Sequence, residues 1–224
     1  MELHSLLIPL GLVPAIFFLY FIVGRYEGKF REKKAILAFV IGFALGLFIY
    51  LIEIFNIKIG EKIYLGDIFI IALSFSFIEQ TSKFMVLNAS FLRDDATPIY
   101  GAAMGAGYAA PFAPIFIRSV ETSVYGIAIA SIPIMVILLT SYSAILIAIG
   151  IKRGRKAQHF IYAFFFSFIV WTILLLIFNL KYNAAYLLFL LSLLIFLSAF
   201  ATYHAYSRLL PFSMLGRKEL REIL

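Results

Sequence analysis

The stretch FIEQTSKF, residues 77–84, places Glu79, Gln80 and Lys83 in a segment that is otherwise mostly apolar. Carboxylate- or metal-assisted hydrolysis needs a general base, a group that holds or polarises water, and as a rule His or acid ligands. Glu79 can serve as the base. Gln80 is neutral, takes up no proton and is a poor ligand. Glu79 and Lys83 stand four residues apart with the acid first, which puts them on one helical face in the favourable order. They form either a structural ion pair that turns this face inward or part of a catalytic or transport site. Ser76, Thr81 and Ser82 add hydroxyls that suit both readings.

Partners for such a site are scarce. The chain has three histidines and no cysteine, so disulfides, thiolate metal ligation and thiol catalysis are excluded. His4 and His159 fall at helix ends on opposite sides of the expected membrane. His204 falls ~3 Å from the cytoplasmic end of its helix, which is ~13 Å shallower than Glu79 at a rise of ~1.5 Å per residue. Zinc requires at least three protein ligands at ~2 Å, and no such set is expected. A Ser-His-Asp triad and an intramembrane Asp pair are absent too. The expectation is no metal and no cofactor.

The elements that must position Glu79 and Lys83 are membrane helices. Hydrophobic residues make up 63% of the 224, charged residues 14%, and the mean hydropathy is +1.01, outside the soluble globular range. Apolar residues fall in seven runs, about 6–24, 35–55, 66–90, 98–118, 126–151, 158–180 and 184–206. Each approaches the ~20 residues that cross a bilayer, and none alternates with period two, so helices rather than barrel strands are expected. The first run starts without basic residues and is too long for a signal-peptide core, so it reads as a retained helix. The loops leave no room for a soluble domain. The fold class expected is an all-α polytopic membrane protein, a bundle of seven transmembrane helices in a single domain over 1–224.

Basic residues give the orientation. Lys58, Lys62, Arg118 and Lys181 fall on one side when loops are assigned alternately. Arg25, Lys29, Arg31, Lys33, Lys34, Arg93, Lys152, Arg153, Arg155, Lys156, Arg208, Arg217, Lys218 and Arg221 fall on the other. A bias of fourteen to four predicts the N-terminus outside and the C-terminus in the cytoplasm. The net charge of +7 is then topological. Its expected partner is the lipid bilayer with its anionic head groups, not nucleic acid, and the expected location is a multi-pass protein of the cell membrane.

The fourth run, IYGAAMGAGYAAPFAPIF (99–116), is rich in small residues. Gly101, Gly105 and Ala109 recur every four residues, a ridge that lets another backbone approach closely. Gly42 and Gly46 form a second such pair. Pro111 and Pro114 each remove a backbone donor and are expected to kink the outer part of this helix.

FIEQTSKF, the segment RDDATPIYGAAMGAGYAAPFAPIF and SYSAILIAIGIKRGRK together resemble the PrsW-like intramembrane proteases, relatives of the type II CAAX prenyl proteases. The opening VPAIFFLYFIVGRYEGKF is similar as well, so the resemblance covers roughly residues 13–156. The family's Glu-Glu-x-x-Lys motif reads Glu79-Gln80-x-x-Lys83 here. Its Gly-x-Gly-Phe-Ala is Gly105-Ala106-Gly107-Tyr108-Ala109, but Phe112 and Ala113 stand where the family has Glu-Asn. The family's fifth-helix His falls on Tyr142 or its neighbour Ser143. Counted along their helices, positions 79, 112 and 142 lie within ~8 Å of one depth, so a polar cluster there would be filled with aromatics in this chain.

That pattern is also similar to a non-catalytic branch of the superfamily, the Aph subunit of gamma-secretase. That seven-helix scaffold has its N-terminus outside and a GxxxGxxxG ridge on helix four; this chain lacks its histidines on helices five and six. The resemblance implies a pseudoprotease-like scaffold that docks another integral membrane protein, such as an intramembrane protease, through the helix-four ridge. Two alternatives stand beside it. One is an active PrsW-like peptidase using Glu79, for which zinc would be the implied cofactor. The other is a small transporter or lipid-binding protein.

Overall fold

An apolar run in lipid satisfies its backbone N–H and C=O groups only within itself, and the described residues of these runs are mainly helical. The computed structural model describes residues 7–56, 64–112, 129, 131–180 and 184–214. Among them the elements are α1 (Leu7–Arg25), α2 (Glu32–Asn56), α3 (Leu65–Leu87), α4 (Thr97–Ala109), α5 (Ile132–Lys152), α6 (Lys156–Leu180) and α7 (Ala184–His204). No strand occurs among these residues. Among the described residues five segments are long and apolar enough to cross a membrane: Glu32–Ile52, Leu65–Leu87, Ile132–Lys152, Lys156–Asn179 and Ala184–Met214. A shorter apolar stretch, Gly11–Ile22, lies in α1.

Two helices differ from the sequence expectation. The fourth run, expected as one span over 98–118, is a 13-residue α-helix that tightens into a 3-10 turn at Ala110–Phe112. Pro111 lies within that turn. Residues 113–118 lie outside the described set, as do 126–128 at the start of the fifth run. The seventh helix does not stop at 206. It widens into a π-helical turn at Ala205–Leu209 and continues through Leu210–Met214.

α4 is the axis of the bundle, and every residue from Thr97 to Phe112 is buried. Small residues make this possible on two sides. A methyl placed on Gly42 would stand 2.2 Å from the carbonyl oxygen of Met104, and one on Gly46 2.1 Å from that of Tyr108. In return, a methyl on Gly107 would lie 2.1 Å from the carbonyl oxygen of Phe39. So α2 and α4 touch backbone to backbone. Across α4, a methyl on Gly101 would meet the Ala144 carbonyl oxygen at 2.8 Å, and one on Gly105 the Cα of Ser141 at 2.5 Å, which seats α5. Ala109 is buried as well. The ridge expected to dock a partner is consumed inside the chain.

One end of the bundle is clamped by the loop between α3 and α4. Lys34 at the start of α2 donates to Asp94 at 2.7 Å, and the Tyr100 hydroxyl donates to the same carboxylate at 3.2 Å. Lys152 at the end of α5 donates to the carbonyls of Asp95 (2.6 Å) and Ser213 (2.7 Å). Lys156 at the start of α6 donates to Asn88 Oδ1 at 2.8 Å. Residues 34, 88–95, 152–156 and 213 therefore share one face of the protein. Gly28 and Gly154 make the tight turns there with φ of +79° and +72°, a conformation that favours glycine.

Candidate functional site

α3 turns Ser76, Glu79, Gln80 and Lys83 into the bundle together with Ile68, Ala72, Phe75 and Leu87. The spacing repeats at three and four residues, so a single helical face carries both the apolar contacts and the charges. The α3 hydroxyls add nothing to the pair: Ser82 donates to the Glu79 carbonyl at 2.8 Å, Ser76 to that of Ala72, and Thr81 Oγ1 has no hydrogen-bond partner among the described residues.

Lys83 Nζ donates to Glu79 Oε1 at 2.5 Å. Its remaining bonds go to α5, to Ser143 Oγ at 2.9 Å and the Thr140 carbonyl at 3.2 Å. Ser143 in turn donates to that carbonyl at 2.9 Å. The Tyr108 ring of α4 lies under the ammonium, its centroid 5.0 Å away, within cation–π range. The other carboxylate oxygen, Oε2, accepts from Ser167 Oγ at 2.8 Å and Trp171 Nε1 at 2.7 Å, both on α6. The pair thus joins α3, α4, α5 and α6. A buried charge left without partners costs several kcal/mol, and here both charges are held by neighbours.

A cavity of about 20 Å³ adjoins the pair, bounded by Glu79, Thr140, Ser143, Ser167 and Trp171 and by the aromatic walls Tyr108, Phe112 and Phe166. That is room for about one water molecule. Phe112 stacks on Tyr108, with centroids 5.8 Å apart, and meets Trp171 edge-on at 5.8 Å. So the position where the resembling proteases carry an acid faces the same cavity as Glu79 and is filled by an aromatic ring. Ala113, the other half of that motif, lies outside the described residues.

Of the two positions matched to the family's histidine, Ser143 reaches the ion pair and Tyr142 points away from it. Tyr142 packs on Phe166 at 4.8 Å, and its hydroxyl bonds His204 Nδ1 at 2.9 Å. His204 is expected close to the cytoplasmic end of its helix, ~13 Å shallower than Glu79. Because the helix continues to Met214, His204 sits about ten residues, ~15 Å, inside that end, which brings it level with Tyr142. It still does not join Glu79. Among the described residues no three His, Cys, Asp or Glu side chains converge. His4 lies outside the described residues, and the His159 ring bonds the Arg155 carbonyl.

Gln80 is fully buried, and among the described residues neither its amide oxygen nor its nitrogen has a hydrogen-bond partner. It does not take part in the Glu79–Lys83 network. The contribution of α6 is not among the sequence expectations, since its bulky apolar run stands out only at Trp171 and Asn179. Its signal was present: Ser167 and the chain's single Trp, Trp171, stand four apart on one face.

No family model matches the chain, and no curated protein or solved structure matches it.

Proposed function

We propose that this chain is a non-catalytic, pseudoprotease-like integral membrane scaffold of the PrsW/CAAX protease superfamily. It crosses the membrane seven times, with its N-terminus outside and its C-terminus in the cytoplasm. The meeting of Lys34, Asn88, Asp94, Lys152, Lys156 and Ser213 on one face supports the alternation from which that orientation is counted.

The observation that carries the reading is the donor shell around Glu79. A general base needs a lone pair aimed at the proton it removes. Both oxygens of Glu79 already accept hydrogen bonds, from an ammonium, a hydroxyl and an indole N–H. Zinc fits this centre poorly. The site offers one carboxylate, its neighbour is an ammonium that repels a cation, and the facing walls are Phe112, Tyr108 and Trp171. A cavity of about 20 Å³ has no room for a peptide segment either. Such a centre acts as a polar lock that fixes the packing of four helices.

With the small-residue ridge used internally, a partner meets the outer faces of the helices, where Phe17, Tyr20, Phe48 and Phe189 are exposed. The test is isolation of the tagged chain from its native membranes in mild detergent, followed by native mass spectrometry and a cleavage assay on membrane-spanning peptides. A stoichiometric integral membrane partner is expected, with no peptide cleavage. A chain that runs alone, or cleavage abolished by Glu79→Gln, overturns the proposal.

A further inference from the structure

Positive charge converges where α3 ends and α6 begins. Asn88 closes the C-terminal end of α3, and Lys156 is the first residue of α6. Arg93 Nη2 and Lys156 Nζ both donate to one atom, Asn88 Oδ1, each at 2.8 Å. Two cations are thereby held within two such bond lengths of each other, around a neutral oxygen. Like charges so close repel, and no carboxylate offsets them: among the described residues neither forms an ion pair. The two acids of the neighbouring loop are engaged elsewhere, Asp94 with Lys34 and Asp95 with Lys152. α6 adds to the surplus, because its first turn holds no acidic residue to offset the positive end of the helix dipole.

The site is open to a ligand. Arg93 is exposed, and Lys156 and Asn88 are half-buried. A guanidinium carries five N–H donors and an ammonium three, of which Asn88 takes one each. Phosphate oxygens accept from both groups in charge-assisted bonds.

The surroundings select the kind of phosphate. Asn88 and Lys156 stand at adjoining ends of Leu65–Leu87 and Lys156–Asn179, two segments long and apolar enough to cross a membrane. In a bilayer the cations are therefore level with the head groups. One turn deeper the seam between the helices becomes aromatic. Phe84 and Phe160 lie four residues from Asn88 and Lys156 and meet edge-on at 5.7 Å. Phe77 and Phe164 follow at 6.5 Å, then Phe69 and Phe168 at 6.4 Å. Phe77 and Phe69 are about half exposed, so an apolar track faces the lipid and starts directly below the cations. Basic pockets between membrane helices suit phospholipid head groups.

We propose that the α3–α6 seam binds one anionic glycerophospholipid, its phosphate bridging Arg93 and Lys156 and one acyl chain lying along Phe84, Phe77 and Phe69. Each cation takes one phosphate oxygen, which relieves their repulsion. A free phosphate ion would satisfy the cations and leave the aromatic track unused. This is a discrete site, distinct from the diffuse attraction of basic loops for a bilayer, and it does not depend on whether the Glu79 centre is catalytic.

The test is native mass spectrometry of the purified chain titrated with phosphatidylglycerol and, separately, with phosphatidylcholine of identical acyl chains. One phosphatidylglycerol per chain is expected to be retained about tenfold more tightly or better, the order that two basic residues at an anionic head group provide. Arg93→Gln/Lys156→Gln is expected to remove most of that preference. Arg25→Gln/Arg208→Gln takes the same charge from two other exposed positions and is expected to leave the preference intact. If Arg93→Gln/Lys156→Gln does not fold, Arg93→Glu decides the matter, because it sets a carboxylate beside Lys156 at an exposed position and is expected to cause the same loss. An excess of inorganic phosphate is expected not to displace the bound lipid. Equal retention of the two lipids, or a preference that survives in Arg93→Gln/Lys156→Gln or Arg93→Glu, overturns the proposal. So does an equal loss in Arg25→Gln/Arg208→Gln, or displacement of the lipid by inorganic phosphate.

Discussion

Neutralising Glu79 alone is expected to be far more damaging than neutralising Glu79 and Lys83 together. In Glu79→Gln the ammonium of Lys83 stays buried, keeping the Ser143 hydroxyl and the Thr140 carbonyl but losing its counter-charge. Removing one partner of a buried pair costs about 3–5 kcal/mol. Lys83→Met leaves the carboxylate with Ser167 and Trp171 and no cation, a loss of the same size. The double variant Glu79→Gln/Lys83→Met buries no charge and preserves volume, so the desolvation penalty disappears with the attraction, and about 1 kcal/mol of destabilisation is expected. For a chain of this length 1 kcal/mol corresponds to ~2–4 °C in thermal midpoint. Each single variant should therefore lower the midpoint by ~6–20 °C and the double by ~2–4 °C. The assay is thermal unfolding in one fixed detergent, followed by circular dichroism, with the coupling taken from the double-mutant cycle. Single variants that unfold within ~2 °C of the parent would refute the polar-lock account. So would a double variant whose loss equals the sum of the singles.

Three other outcomes follow from the same geometry. Trp171→Phe removes the indole donor to Glu79 while keeping an aromatic ring against Phe75; a loss of about 1–2 kcal/mol is expected in the same unfolding assay. Gly46→Ala forces a methyl toward the Tyr108 carbonyl, which would stand 2.1 Å away, so α2 must shift off α4; at least ~1–3 kcal/mol is expected, whereas Gly24→Ala, with nothing within 4 Å, should be tolerated. Because the chain has no cysteine, single-cysteine variants can report its orientation. Arg155→Cys is expected to react with an impermeant maleimide only from the cytoplasmic side, Lys181→Cys only from outside, and labelling of both from one side would refute the seven-span alternation.

Much of the architecture is legible in the residues because a membrane helix is specified locally. A run of about twenty apolar residues satisfies its own backbone and needs no distant partner to be recognised, and the positions of α2, α3 and α6 follow almost directly. The i,i+4 order of Glu79 and Lys83 likewise makes an ion pair readable, since both groups sit on one helix. The end of α7 was not legible. A π-helical turn keeps the helix going past Tyr206 to Met214, and apolar content carries no mark of that change in winding.

What the sequence alone determined is an apolar helical chain with a charged face on its third helix and small residues on its second and fourth. What those small residues are for, only the tertiary structure decided. A GxxxG ridge states that a backbone comes close without stating whose, and here it is the chain's own α2 and α5 that close on α4. The partners of Glu79 were also decided there. Ser167 and Trp171 lie some ninety residues away in sequence, and a lone Ser and Trp in an apolar helix become donors to one carboxylate only when packing sets α6 against α3. Side-chain identity supplies the capacity to bond. Which capacity is used depends on which helices become neighbours, and that is a property of the whole bundle.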